Sequence, residues 1–314
     1  MALVSILIPS YKAAHFRECL TSALAQTWAD KEIIVSDDCP TEEIRDICAD
    51  YAGLVRYVRN PSPGSLGDNN IRHLCRLAQG AYLKFLFDDD ILHPFCVQYL
   101  VEALEREAPR GATLAFSPRA TIDADNHIVA RIDKFAKQSG PLLQGRDVIR
   151  QMAMTMSNPI GEFTTVLFRR CDVFDAKGDL QIMTVEGVHW RGLSDVALFI
   201  HLCAKGPAVR VEEAMSYFRV HGQSNSNHET NPEWFYAVAD WKLVLDYAVS
   251  HRLLSQFETL RAYRRLIRLL RYWQASAPAL RGDLGEVLRR IWQDVDAGAL
   301  PAWGRLWLRP FLPA

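Results

Sequence analysis

The stretch Tyr82-Leu83-Lys84-Phe85-Leu86-Phe87-Asp88-Asp89-Asp90-Ile91-Leu92-His93-Pro94 passes from apolar, strand-compatible residues straight into three consecutive carboxylates, and a proline bars its continuation. Adjacent carboxylates repel, so a fold that gathers them at a buried edge needs a compensating cation. Hard divalent ions such as Mg²⁺ and Mn²⁺ take oxygen ligands, and Mg²⁺ in particular combines one or two carboxylates with substrate phosphates. Asp88, Asp89 and Asp90 therefore form a candidate cation site. The competing reading is a solvated acidic turn, because charge runs commonly face water. Two further acidic positions stand out. Asp37-Asp38 closes a second apolar run, Glu32-Ile33-Ile34-Val35-Ser36, and Asp195 follows Ser194 at the head of a helical pattern over Leu193 to Leu202. A first-turn carboxylate is favoured there by the helix dipole alone.

The elements that must position these groups are those of an α/β sheet. Val4 to Ile8 is a continuous apolar run of the kind buried on both faces, and Pro9-Ser10-Tyr11-Lys12 breaks it. Helical spacing over Phe16 to Gln26 leads to the strand ending at Asp37-Asp38, which makes a right-handed strand-helix-strand unit. Ligands of such sheets lie outside the carboxyl ends of the strands. Pro9 to Tyr11, Asp37-Asp38 and Asp88 to Asp90 are accordingly expected on one rim. Thr41 to Ala52 reads as a helix capped at Thr41, Val55 to Val58 as a strand, Asn70 to Ala78 as a helix and Thr113 to Phe116 as a strand. Further on, Asp123-Ala124-Asp125-Asn126 reads as a hairpin turn and Gly161 to Phe168 as a strand. Ala208 to Tyr217 and Phe218 to His221 read as a strand pair. From Pro232 onward long helical patterns carry Arg261, Arg264, Arg265, Arg268 and Arg271, with Trp292, Trp303 and Trp307 beyond them. A basic amphipathic helix of this type either packs with a solvated face or lies on an anionic membrane.

With 314 residues, 49% of them hydrophobic, the chain has ample material for a core, and a net charge of −1 exerts no general pull toward nucleic acid. Seven cysteines without a C-x-x-C spacing suit reduced thiols in the cytoplasm and no zinc site. The N-terminus lacks a basic region before its apolar run, and nothing reaches the roughly 18 apolar residues of a membrane span.

Several stretches in order resemble the inverting glycosyltransferases of family 2. These are Val4 to Tyr11, Ala25-Gln26-Thr27-Trp28, Glu32 to Asp38 and Gly80 to Asp90, followed by Asn158-Pro159-Ile160-Gly161, Ser194-Asp195 and Tyr217 to His221. The resemblance covers residues 1 to about 225. It implies a GT-A fold, a Rossmann-like nucleotide-binding mixed sheet flanked by helices, over 1–225, with a helical C-terminal extension over 226–314. It further implies transfer of a sugar from a nucleoside diphosphate donor, with uracil or thymine as base, to an acceptor hydroxyl, with Mn²⁺ or Mg²⁺ as cofactor. The acceptor class would be a glycan, glycolipid or protein, and the setting bacterial surface-glycan synthesis such as lipopolysaccharide or capsule. The location would be the cytoplasm or the inner face of the membrane, with peripheral contact through the C-terminal helices and no nucleic-acid partner.

Carried over residue by residue, Pro9, Ser10 and Tyr11 would line the base pocket, Asp38 with Asp37 beside it would bind the base, and Asn70 would sit on the helix closing over the nucleotide. Phe87 stands where the family has its first metal-motif aspartate, so Asp88 would reach the ribose and Asp89 would ligate the metal, with Asp90 and His221 joining it. Arg219 would face the diphosphate and Asp195 would be the general base. Glu162 and Glu186 are acceptor-side candidates, and Trp190 with His189 would form an aromatic platform. Two other readings stay open. One is a catalytically inactive sugar-nucleotide scaffold, and the other a receiver-like signalling domain, against which the acid triplet and the chain length argue.

Overall fold

The computed structural model describes residues 1–64, 67–220, 234–276, 281–295, 304 and 308. In chain order the strands are β1 Val4–Ser10, β2 Lys31–Asp37, β3 Arg56–Arg59, β4 Tyr82–Phe85, β5 Ile91–Leu92, β6 Leu114–Phe116 and β7 Arg119–Ile122. They continue with β8 Ile128–Ile132, β9 Leu142–Leu143, β10 Val166–Arg169, β11 Thr184–Val185, β12 Val188–His189, β13 Ala208–Arg210 and β14 Ser216–Arg219. The helices are α1 Phe16–Leu24, α2 Glu43–Ala49, α3 Asp68–Leu77, α4 Cys96–Glu107 and α5 Gly145–Thr155. After them come α6 Ser194–Lys205, α7 Trp234–Ala239, α8 Trp241–Ser250, α9 Gln256–Ser276 and α10 Arg281–Asp294.

Two compact units emerge, each drawing on separated stretches. The first comprises 1–144, 160–182 and 201–224; the second comprises 145–159, 183–200 and 225–314. The second unit thus takes in two segments that precede residue 225.

The first unit is built on an eight-stranded mixed sheet in the order β3-β2-β1-β4-β10-β6-β13-β9. Strands β1 to β4 run parallel, while β10 is antiparallel to both β4 and β6. All seven residues of β1 are buried, which explains its unbroken apolar run, because a strand covered on both faces needs no alternation. The core gathers Ile6, Ile8, Phe16, Leu20, Val35, Val97, Leu100 and Leu104 from the sheet and its helices. A second sheet, β5-β14-β7-β8, places β14 antiparallel to β5 and parallel to β7.

Three local expectations are corrected here. Strands β13 and β14 do not pair with each other, since β13 lies between β6 and β9 while β14 lies between β5 and β7. The segment before β10 is a short 3-10 turn over Phe163–Thr165, and Gly161 enters it at φ +122°, with Thr165 occupying the space a side chain would need. Helix α2 begins after Glu42 without a side-chain cap, because the Thr41 hydroxyl turns to Glu43 Oε2 instead.

The second unit is mostly helical, with α5 packed on α8 and α9, and α9 on α10. Helix α9 buries Leu260, Tyr263, Leu266, Ile267 and Leu270 on one stripe, the spacing of an amphipathic helix. An Arg150–Glu258 ion pair and a hydrogen bond from Arg265 Nη1 to the Met154 carbonyl (3.2 Å) fasten it to α5. The β11–β12 hairpin turns at Glu186 and Gly187, both at positive φ (50° and 80°).

Candidate active site

The carboxyl ends of β1, β2 and β4 meet as the topology requires, and hydrogen bonds record it. The Tyr11 and Lys12 amides, just past β1, both donate to Asp88 Oδ2 (2.6 and 2.7 Å). The Asp38 amide donates to the Ser10 carbonyl (2.8 Å). Asn60 Nδ2 donates to Asp38 Oδ1 (2.6 Å), and Asn70 Nδ2 reaches back to the Ser36 carbonyl (2.8 Å). Asn70 Oδ1 is buried without a hydrogen-bond partner, as is the Ser36 hydroxyl. An orphaned buried acceptor costs about 1–3 kcal/mol, which makes it a candidate contact for a donor group on a ligand. Asp38 is half-buried and its carboxyl is raised from 3.8, by burial first and with the charge of Asp37 adding to it. Tyr11 is 58% exposed, so its ring is presented rather than packed.

Asp37 is fully buried and committed inside the fold. Its Oδ1 accepts the Cys39 amide, and its Oδ2 accepts the Tyr57 hydroxyl and Arg59 Nη1 (both 2.8 Å). These bonds hold the ends of β2 and β3 together beside Asp38.

Within the acid triplet the three members differ. Asp88 is held by the β1 amides, yet burial and then the neighbouring Asp89 charge push its carboxyl up to about 6. Asp90 is fully buried. Its Oδ2 accepts the Thr164 hydroxyl (2.6 Å) and its Oδ1 the Arg219 amide (3.2 Å), and burial with the Asp89 charge raises it as well. Asp89 stands half-exposed between these two. Beneath them the wholly buried Lys84 donates to the Thr164 and Phe85 carbonyls.

Arg219, expected at the diphosphate, is placed otherwise. It is 0% exposed, and all five guanidinium N–H groups are taken by the protein. Nε donates to the Asp89 carbonyl (2.9 Å). Nη1 donates to the Asp123 and Ala124 carbonyls (3.0 and 3.1 Å), and Nη2 to Glu18 Oε2 and Asn126 Oδ1 (2.9 and 2.7 Å). It therefore braces the triplet from behind and has no donor left for a phosphate. His221, the other expected contact, lies outside the described residues.

In the second unit, Asp195 occupies the first turn of α6, half-buried. Its Oδ2 accepts Asn158 Nδ2 (2.8 Å) and its Oδ1 the Val196 amide (2.7 Å). Asn158 belongs to a motif singled out in the sequence, although its partner was not legible there. The acceptor-side candidates scatter. Trp190 is 2% exposed and so packs in the interior instead of offering a platform. Glu186 sits in the β11–β12 turn and pairs with His251 Nε2 (3.1 Å). Glu162 pairs with Arg119, whose guanidinium lies 5.4 Å from the Phe218 ring centre.

The sequence profile of Glycosyl transferase family 2 matches residues 5–163, which is half of the chain. The chain belongs to glycosyl transferase family 2. Curated relatives of this family 2 chain include an uncharacterized glycosyltransferase of Rickettsia prowazekii, 34% identical over 107 residues, 33% of this chain and 32% of that protein. An uncharacterized protein of Mycobacterium tuberculosis is 30% identical over 187 residues, 56% of each chain. A chondroitin synthase of Escherichia coli is 30% identical over 134 residues, 41% of this chain and 19% of the synthase. The chain spans between about a fifth and a little over half of these relatives' lengths. Among solved structures, S. aureus TarS with UDP superposes with a TM-score of 0.60 at 14% identity, covering 99% of this chain and 87% of TarS. Its complex with UDP-GlcNAc also gives 0.60, covering 97% and 83%. This likeness establishes the GT-A fold for the family 2 chain, with helices following the mixed sheet.

The fold implies a divalent cation, and the donor set of the triplet suits one: three carboxylate side chains in succession, two of them raised by burial and by the charge of the third. Of the described residues assigned to it, Asp89 is the member with solvent access, while Asp90 is bonded to Thr164 and the Arg219 amide. A second group of ligand atoms, on Asp123, Asp125 and His127, lies within 4.8 Å of one another on the β7–β8 turn. There Asp123 Oδ1 accepts the Asp125 and His127 amides (2.9 Å each), which is ordinary turn bonding.

Because the folded carboxyls of Asp88 and Asp90 lie above their ordinary 3.8, they favour the folded state below that value and withdraw that support as pH rises through about 6 and beyond. In chelator, the melting temperature should fall from pH 5 to pH 8, and less so in Asp90→Asn. Added Mn²⁺ should restore it at pH 8 and change little at pH 5. A pH-independent melting temperature in chelator would show that the triplet is not under this strain.

Proposed function

We propose that the chain is a metal-dependent inverting glycosyltransferase that moves a sugar from a UDP- or dTDP-linked donor to an acceptor hydroxyl. The observation that carries this reading is the half-exposed Asp89 carboxylate at the end of β4, between Asp88 bound to the tip of β1 and Asp90 sealed below. Asp38, Tyr11 and Asn70 surround the same rim and supply the contacts a nucleoside needs: a carboxylate for base N–H, a presented aromatic ring and a buried amide oxygen. The bound cation, ligated by Asp89, would neutralise the departing diphosphate. Asp195 accepts the proton of the incoming hydroxyl, and a positioned base of this kind is worth about 10²- to 10⁴-fold in rate. Asn158 Nδ2 fixes that carboxylate by donating to its Oδ2. The UDP and UDP-GlcNAc complexes of TarS support uracil as the first base to try. We assign the acceptor to bacterial surface glycan.

Donor turnover tests the reading. UDP-glucose, UDP-galactose, UDP-N-acetylglucosamine and dTDP-rhamnose, each with Mn²⁺, should include at least one substrate from which nucleoside diphosphate is released. Asp195→Asn should lower that release by about 100-fold or more while nucleotide affinity holds. Binding without release in the wild type would favour a scaffold, and absence of nucleotide binding would remove the enzyme reading.

The arginine face of α9 is the surface we assign to peripheral membrane contact. Arg261, Arg265, Arg268 and Arg271 are exposed along it, with Phe257 (69% exposed) near its start and Tyr272 (62%) near its end. Among the described residues no helix is long and apolar enough to cross a membrane. The chain should sediment with vesicles containing phosphatidylglycerol and not with phosphatidylcholine vesicles, and the triple change Arg261→Glu, Arg268→Glu, Arg271→Glu should abolish sedimentation. Equal recovery with both vesicle types, or an unaffected triple variant, would refute the assignment.

A further inference from the structure

The turn Arg191-Gly192-Leu193 leads directly into α6, whose second residue is Asp195. Three contacts from the α7–α8 corner close on this turn. Asp240, between the two helices, does not cap α8 with its side chain; its Oδ2 instead accepts the Gly192 amide (2.7 Å) and the Leu193 amide (3.2 Å). Gly192 packs so tightly on the Tyr236–Ala237 peptide that a methyl group there would overlap it. The Arg191 guanidinium lies 3.9 Å from the Tyr236 ring centre and Nη1 donates to the Tyr236 hydroxyl (2.9 Å).

Asp240 is buried, at 8% exposure, so its carboxylate is stable there only while those amides satisfy it. The amides in turn are otherwise unpaired groups ahead of a helix, which is the place where a chain frays without a cap. Each side needs the other. The result is a fixed launch angle for α6, with Asn158 holding the Asp195 side chain at the other end.

We propose that Asp240 is a positioning residue for Asp195: by holding the Gly192 and Leu193 amides it sets where the base carboxylate stands. This gives the helical extension a role in the chemistry, and it rests on the reading of Asp195 as the base. Asp240 touches no reacting atom, so its removal acts through geometry. A displacement on the order of 1 Å at a reacting group costs about 10²-fold in rate.

The experiment compares wild type, Asp240→Ala, Asp240→Asn and Asp195→Asn by amide hydrogen exchange, and by steady-state release of UDP from UDP-N-acetylglucosamine or another donor of the panel that the wild type turns over. Asp240→Ala should lose protection at Gly192, Leu193 and the first turn of α6. Its kcat should fall about 10- to 100-fold with KM for the donor and UDP affinity unchanged. Asp240→Asn retains an acceptor oxygen and should recover most of both properties. Asp195→Asn should lose turnover with exchange at Gly192 and Leu193 unaltered. Unchanged exchange in Asp240→Ala would overturn the clamp, and loosened exchange with undiminished kcat would overturn its role in positioning. A parallel loss of UDP affinity and melting temperature would overturn it too, by marking Asp240 as a general stability residue. Should no donor turn over in the wild type, the base assignment fails while the exchange comparison still decides whether Asp240 holds the turn.

Discussion

Negative charge cannot be taken out of water without donors or a cation, and the carboxyl end of β4 concentrates three such charges in succession. The first unit is arranged around that constraint. The tip of β1 gives two amides to Asp88, Thr164 gives a hydroxyl to Asp90, and β14 gives the Arg219 amide. Through its side chain Arg219 also binds the Asp89 carbonyl, the β7–β8 turn and Glu18 of α1, so one buried cation ties β14, that turn and α1 to the triplet. Such a fully bonded buried guanidinium gains geometric definition from its planar fork, whatever its net contribution to stability. Both neighbours of Asp89 are thereby immobilised, and Asp89 is left at the rim with its backbone pinned. A site of this kind is organised before any ligand arrives.

The second unit applies the same economy to a single carboxylate. Asp195 accepts an amide side chain and an amide of its own helix, and the turn before it is fastened by Asp240. In both units the residues nearest the proposed chemistry are surrounded by groups that are themselves fully committed to other bonds. Such neighbours cannot rearrange cheaply, because each displacement would leave a buried polar group unpaired.

The strands and the acids at their ends were readable in the chain because both are local signals. The apolar runs of β1 and β2 mark strands covered on both faces, and the topology rule then places Tyr11, Asp38 and Asp88 on one rim without further information. What was not readable depends on partners distant in sequence. Nothing in Tyr-Phe-Arg-Val-His tells that the arginine turns inward to Asn126 and Glu18, away from a phosphate. Asp89 and Asp90 are the same residue type side by side, and the partners that mark Asp90 as the buried one, Thr164 and the Arg219 amide, lie 74 and 129 positions away. Trp190 looks like a sugar platform until its 2% exposure is known, because tryptophan serves interiors and binding faces equally. Strands β13 and β14 are adjacent in the chain yet enter different sheets, a matter of long-range pairing with β6 and β7 that local pattern does not carry. Asp240 lies beyond both the stretch that resembles known glycosyltransferases and the profile match at 5–163, so only the folded chain discloses its tie to the α6 turn.

The most direct test of the account is a crystal structure of the chain grown with Mn²⁺ and UDP, with the metal located by its anomalous scattering. The account predicts a peak bound to the Asp89 carboxylate and the diphosphate, with the uracil between Tyr11 and Asp38. A manganese peak on the Asp123–His127 turn, or a nucleotide bound away from the end of β4, would contradict it.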